Sequence, residues 1–450
     1  MSGAGIREVS VRATRRVGAH SHIRGLGVEN GKVLPVGDGL VGQIEAREAA
    51  WLIVQMIKEG KMAGKGILIV GPPGTGKTAI AIGIARELGE DTPFVAISAA
   101  EIYSAEIKKT EYLMQAMRKA IGVRVREFRK VYEGMVVKVD YEWASHPYNP
   151  YYRIPVGAKL TLKTKSETRT FSVDEDIAQQ LLELGISKGD VIWIDAETGR
   201  VVRVGRCKEA EVTYDIEYRR RVPLPSGPIL KEKEFVYTIT LHELDMRSYQ
   251  AGSLFGLIFG LETREIPSEV RRQVDERVRK WIEEGRAELL PGVLFIDDAH
   301  MLDIEAFTFL SRAMESELAP IIILATNRGI TKIRGTDIEA PHGIPLDLLD
   351  RLIIIKTKPY TEDEIREIIK IRAKEEDVPL SDDALQALTE VGRSRSLRYA
   401  LQLLTPAYIL AKQRGKDVVT RDEIEYVKKL FVDVQESVRY LKEFEEKFLR

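Results

Sequence analysis

A chain of 450 residues is too long for one ordinary hydrophobic core, so several domains are expected. Lys and Arg total 68 against 69 Asp and Glu, a formal net charge of -1, which excludes a globally polycationic nucleic-acid binder and leaves any such contact to a local patch. The lone cysteine, Cys207, excludes an internal disulfide and a CxxC metal knuckle, and no run reaches the roughly 20 apolar residues that span a bilayer; a cytoplasmic protein with no signal segment and no membrane partner is expected.

The first strong element is the apolar run 67–70, which reads as a strand and leads into Gly71-Pro72-Pro73-Gly74-Thr75-Gly76-Lys77-Thr78, with a helical pattern opening at Thr78 and continuing through Ala79. Strand, glycine-rich loop and helix in that order form the context of a phosphate-binding loop. Glycines let successive N–H groups curl toward phosphates, and the helix adds the positive end of its dipole at the same point. Gly74, Thr75, Gly76, Lys77, Thr78 and Ala79 are therefore expected to hold ATP or ADP, with Lys77 on the β- and γ-phosphates and the Thr78 hydroxyl on Mg²⁺.

A second strand at 94–97 and a helix from about Ala100 continue a parallel, doubly wound pattern, and the next strand of that kind comes only at 293–296. The interruption must be folded. Its first part alternates with period two at 136–139, 159–164, 168–173, 190–194 and 201–204, with a helical pattern at 174–184. Five short strands with a helix after the third is the pattern of an OB-type barrel, which a β-subdomain of another topology shares. Pro223-Leu224-Pro225-Ser226-Gly227-Pro228 reads as the exit linker, 251–260 as an apolar glycine-rich loop or packed segment, and 266–290 as helical. Core strands follow at 321–325 and 352–355, and from Thr361 the chain is helical to its end. The expected division is 1–122 for the first part of the core, 123–228 for the insert, 229–360 for the rest of the core and 361–450 for a helical lid.

Hydrolysis needs a metal-positioning carboxylate and a base, and Asp297-Asp298 at the end of the 293–296 strand supplies both. Asp297 is expected to hold Mg²⁺ through water and Asp298 to polarise the attacking water. Histidines His20 and His22 alternate, but no cysteine or acid accompanies them, so zinc is not expected. Asparagine occurs only at 30, 149 and 327 while charged residues make up 30%, a balance that points to a thermophilic source.

Taken together, the phosphate loop, Phe295-Ile296-Asp297-Asp298-Ala299-His300, Ala325-Thr326-Asn327-Arg328, Asp347-Leu348-Leu349-Asp350-Arg351-Leu352 and Ser396-Leu397-Arg398-Tyr399-Ala400 resemble an AAA+ ATPase. The segment Gly18-Ala19-His20-Ser21-His22-Ile23-Arg24-Gly25-Leu26-Gly27, with a large insert in that place, is similar to the RuvB-like (pontin/reptin) family, in an archaeal or thermophilic form, over about residues 10 to 440. The resemblance implies roles: Asn327 as sensor 1, Arg351 as an arginine finger for a neighbouring subunit, and Arg398 beside Leu397 as sensor 2 in the lid. It sets His20 and Ile23 against the adenine and ribose, with Tyr360 and Ile368 on the other side of the base. A packing role for Ile368 is equally open. Where eukaryotic relatives carry glutamate this chain has Asp298, one methylene shorter, and slow turnover is expected. The resemblance implies a homo-oligomer, a hexameric ring, single or stacked. Three readings of the output compete: DNA unwinding or remodelling through single- or double-stranded contacts on the insert, assembly of protein clients with the insert as docking arm, and a nucleotide-gated structural ring with little hydrolysis, which Asp298 keeps open. The aromatic stretch 141–153 and the cations Arg124, Arg126, Arg129, Lys130, Lys159, Lys163, Lys165 and Arg169 suit the first; exposed aromatics suit the second equally.

Overall fold

The structure is a computed structural model that describes residues 20–62, 64–89, 91–146, 149–208, 221–252 and 265–448. The residues Gly18, Ala19 and 253–260 of the stretches singled out above lie outside this set, as do the side chains of 145–153. The chain divides into two compact units, one of residues 1–123, 239–278 and 289–450, the other of 124–238 and 279–288.

The larger unit is built on a five-stranded parallel sheet in the order Leu352–Lys356, Gly66–Val70, Ile321–Thr326, Val293–Asp297, Phe94–Ser98. Its three central strands are continuous apolar runs, Gly-Ile-Leu-Ile-Val among them, because a parallel sheet is covered on both faces. One face packs Ile67, Ile69, Phe295 and Ile323 against Ile80 and Ile84 of the helix Lys77–Leu88 and Val54 of the helix Ile44–Lys58. The other packs Leu68, Leu294 and Leu324 against Leu113, Phe307 and Leu310. Each such side chain contributes about 1.5–3 kcal/mol by leaving water.

The lid has its own core, with Ile369, Leu388, Leu404 and Ile424 fully buried. Its first helix, Glu362–Glu375, begins at a capping box in which the Thr361 hydroxyl accepts the Glu364 N–H and the Glu364 carboxylate accepts the Thr361 N–H. Leu388→Ala would open a cavity there and cost about 2–5 kcal/mol.

Where the insert leaves and rejoins this unit, charges are buried. Arg118 of the helix Lys109–Lys119 bonds both carboxylate oxygens of Asp245, on the helix Leu241–Gly252, and Asp275 at 2.8 Å, on the helix Ser268–Glu283. Arg271 adds a two-pronged bond to Glu111 at 2.5 and 2.9 Å. Apart from Asp275 these side chains are at most 12% exposed, so both guanidiniums must be paired to be tolerated there.

The smaller unit is built on one eight-stranded sheet. The long strand Ile121–His146 pairs Asn149–Lys163 on one side and Asp190–Asp195 on the other; Thr168–Val173 adds beyond the first, Val201–Cys207 and Arg221–Val222 beyond the second. The helix Glu175–Glu183 joins the third and fourth strands and is N-capped by Asp174. Among the described residues no pair joins Thr168–Val173 to Val201–Cys207, the contact that would close the path into a barrel. The expected helix at 266–290 is shorter: it stops at Glu283, Gly285 turns the chain with φ 69°, and Ala287–Pro291 is a strand on the long one. The segment around Arg124–Lys130 is the start of the long strand, whose pairing lengthens it well past the run that alternation marked.

Candidate nucleotide-binding and catalytic site

The phosphate loop sits at the carboxyl end of Gly66–Val70, where an open α/β sheet holds its ligands. Gly74 and Gly76 have φ of 77° and 83°, a region where a β-carbon is costly. A β-carbon on Gly74 would meet nothing within 4 Å, so the loop opens outward, whereas one on Gly76 would lie 2.4 Å from Tyr360 Oη. Thr75 is 3% exposed and donates to Pro72 O at 2.8 Å. Lys77 Nζ donates to Gly71 O at 3.0 Å and Pro72 O at 2.8 Å, neutral partners that a phosphate would outcompete. Burial depresses the Lys77 ammonium, and Asp297 and Asp298 oppose that shift. Thr78 is half-buried one residue further along the helix and Ala79 is buried beneath it. An open cradle of amides with an underemployed ammonium fits a nucleotide polyphosphate.

Asp297 ends its strand half-buried and accepts the N–H of Asp298 at 3.0 Å. Asp298 lies in the left-handed region at φ 52°, ψ 42°, which aspartate tolerates better than longer side chains and which turns its carboxylate out of the strand direction. Among the described residues no group of three or more His, Cys, Asp or Glu forms a metal cage. One carboxylate and the Thr78 hydroxyl fit Mg²⁺, which keeps waters and takes phosphate oxygens. Thr326 pairs with Val70 and accepts the Gly71 N–H at 3.3 Å, so the exposed Asn327 stands beside the start of the phosphate loop. His300 Nδ1 lies 3.3 Å from Thr326 Oγ1, tying the turn after Asp298 to the strand that presents Asn327. Burial keeps this imidazole below its usual pKa.

The N-terminal strip closes another side. His20 and His22 sit with ring centroids 6.4 Å apart, and burial lowers both, His22 to about 4, with Arg372 of the lid adding to the shift. Ile23 is 2% exposed and belongs to the core cluster that also contains Ile80 and Ile84. Arg47 has no exposed surface at all and spends its guanidinium on four backbone carbonyls: Leu26 and Leu34 at 2.8 Å, Gly42 at 3.0 Å and Gly27 at 3.2 Å. It pins the whole strip to the helix Ile44–Lys58.

From the segment leading into the lid comes Tyr360, whose phenol is pushed up to about 12 by burial, and from the lid itself the half-buried Ile368, with Leu397 and Arg398 at the start of the helix Leu397–Gln402. Ser396 caps that helix by accepting the Tyr399 N–H at 3.1 Å, which fixes the start of the turn that carries the exposed Arg398. Arg398 is near enough to lower both Lys77 and His20 electrostatically. Arg351 is placed elsewhere. It precedes Leu352, which pairs with Gly66 at the opposite end of the strand from the phosphate loop, roughly 16 Å away for five residues of strand. There it bonds Glu315 in an exposed pair.

Sequence reasoning missed Arg47, Gln43, Thr357 and the tie made by His300. An arginine three places into a helix reads as a solvated cation, and only the fold reveals four carbonyls waiting for it.

Two family models cover the chain: the TIP49 P-loop domain over residues 16–363 and the TIP49 AAA-lid domain over 368–433. The chain belongs to the TIP49 family. Among TIP49 relatives, a RuvB-like helicase 1 of Aedes aegypti is 46% identical over 453 residues and a RuvB-like protein 1 of Arabidopsis thaliana 45% identical over 452, each match covering 99% of both chains. The TIP49 P-loop match contains the strip, the phosphate loop, Asp297, Asp298, Asn327 and Arg351; the TIP49 lid match contains Ile368, Leu397 and Arg398. The family is of the AAA+ P-loop ATPase type, with a parallel α/β core and a helical lid, as the fold above has. Among the described residues no helix is long and apolar enough to cross a membrane.

Proposed function

We propose that this chain hydrolyses ATP in a closed ring of identical subunits, and that nucleotide turnover drives remodelling or unwinding of DNA. The observation that carries the reading is the convergence of Lys77, Asp297, Asp298, Asn327 and Arg398 at one end of the sheet while Arg351 stands at the other. Mg²⁺ held by Thr78 and, through water, by Asp297 would neutralise phosphate charge as the bond breaks. Asp298 takes the proton of the attacking water, Asn327 orients that water or the γ-phosphate, and Arg398 closes from the lid. His20, Ile23, Tyr360, Ile368 and Leu397 enclose the base and ribose. Arg351 faces away from its own site, so it serves as the finger of a neighbour's, and a hexamer is the closed ring the family implies.

For the output, five strands of the insert's eight-stranded sheet lie in the order third-second-first-fourth-fifth with a helix between third and fourth, which supports an OB-like reading, a fold whose faces bind single strands. Trp143 is 45% exposed with Tyr141 beside it, ring centroids 5.8 Å apart. A specific observation favours the chaperone alternative: several insert cations are already paired, Arg124 with Glu288, Arg129 with Glu127 and Asp195, Lys159 with Glu142 and Arg169 with Glu167. Single-stranded DNA binding by the full chain, measured across salt, decides between them. Affinity that falls steeply with salt and is lost on deleting the insert supports DNA; no binding beside intact ATPase activity leaves a docking arm for protein clients.

A further inference from the structure

Five residues, Thr357 to Thr361, carry the chain from the last core strand into the lid, and the structure fastens them to the nucleotide site at successive points. Thr357, 5% exposed, donates its N–H to Val70 O at 2.8 Å, and its hydroxyl lies 2.6 Å from Thr75 Oγ1 and 3.3 Å from Val70 O. The fit is close: a β-carbon on Gly71 would come within 2.1 Å of Thr357 Oγ1. Lys358 is gripped at both backbone groups by the Gln43 amide, which donates to Lys358 O at 2.5 Å and accepts its N–H at 3.0 Å. Tyr360 Oη stands over Gly76, and Thr361 caps the first lid helix.

We propose that Thr357 is a positioning residue for hydrolysis, its hydroxyl coupling the shape of the phosphate loop to the linker that aims Arg398; this rests on the ATPase reading above. The coupling follows from counting protons. A threonine hydroxyl has one to give. Thr75 has Pro72 O as an acceptor at 2.8 Å, whereas the other acceptor open to Thr357, Val70 O, is at 3.3 Å, so the arrangement with the shorter bonds has Thr75 donating to Pro72 O and Thr357 donating to Thr75 at 2.6 Å. Pro72 O also receives Lys77 Nζ at 2.8 Å. When Lys77 turns to a phosphate, Thr75 is the donor left on that carbonyl, and Thr357 behind it holds the Thr75 rotamer. The loop and the linker then shift as one, with Gln43 keeping Lys358 from following independently.

The test is steady-state ATPase kinetics of the full chain under conditions where the parent ring forms. Thr357→Val keeps the shape and loses the hydroxyl; Thr357→Ser keeps the hydroxyl. The expected result is a fall in kcat of about fivefold to tenfold for T357V, the size of one hydrogen bond, with KM within about twofold and T357S close to the parent. In an Arg398→Ala background the same T357V change should cost less than about twofold, because the path ends at Arg398. Gln43→Met, at a half-exposed position, should reproduce the kcat loss without the KM change and serves if T357V does not fold. T357S as slow as T357V, an undiminished T357V cost beside R398A, or Q43M acting on KM alone would each overturn the proposal. A parent chain with no ATPase activity would overturn the ATPase reading instead.

Discussion

Arg47→Met removes a buried cation while keeping its apolar stem. Three carbonyls, those of Leu26, Leu34 and Gly42, lose their guanidinium donor; the fourth, of Gly27, still accepts the Leu34 N–H at 2.9 Å. A hydrogen bond to a charged donor is worth more than a neutral one, but deleting the buried charge also returns its desolvation cost, so the neutral figure of about 1 kcal/mol per bond is the fair basis. The sum is about 3 kcal/mol, a factor of roughly 100 in the opening equilibrium of the strip. Hydrogen exchange reads it directly, because the amides of Arg24, Leu34 and Gly42 are bonded only while the strip is folded down, to Asp38 O, Gly27 O and Pro35 O. Protection of these amides should drop by about two orders of magnitude while the central strand Ile321–Thr326 keeps its own, and nucleotide affinity should weaken with it. A drop below threefold would refute the idea that one guanidinium holds the strip.

Lys77→Ala should abolish ATP binding, whereas Asp298→Asn should bind ATP and lose about 10²-fold or more in kcat; loss of binding in D298N, read by titration with a fluorescent nucleotide, would remove its role as base. Asp298→Glu should turn over about threefold to tenfold faster than the parent if reach limits the rate, and a rate no higher removes that explanation. Mixing Arg351→Ala with Lys77→Ala chains should restore part of the hydrolysis at mixed interfaces, while R351A alone leaves the melting temperature nearly unchanged, its pair with Glu315 being exposed. His22 has a folded pKa lowered from 6.5 to about 4, so the unfolded chain takes up its proton first. Its contribution to stability is present above about pH 6.5 and is lost as the pH falls toward 4, and His22→Gln should flatten the melting-temperature profile across that window.

The core was legible because a parallel sheet writes itself as uninterrupted apolar runs, and the phosphate loop because glycine, lysine and threonine at that spacing have few other uses. Strands Gly66–Val70, Phe94–Ser98, Val293–Asp297, Ile321–Thr326 and Leu352–Lys356 fall within a residue of the runs that announced them. Their spatial order was not legible, since it depends on pairings between residues hundreds of places apart, such as Ile353 with Ile67. The insert was read less well for a related reason. The strand Ile121–His146 bends through register shifts at 136, 142 and 145, so alternation is broken where the strand is not. At the site, the left-handed turn at Asp298 and the burial of Arg47 have no sequence signature. Thr357, just past the run 352–355, carried no mark in the sequence, yet it touches Thr75 of the phosphate loop.

The ionic clasp of Arg118 with Asp245 and Asp275 joins the helix that precedes the insert to the two that follow it. A chain spliced at such a clasp behaves like a ring with a pendant: whatever hangs between Ala120 and Thr240 can lengthen, shrink or be traded for another module, and the catalytic body need not relearn how to fold.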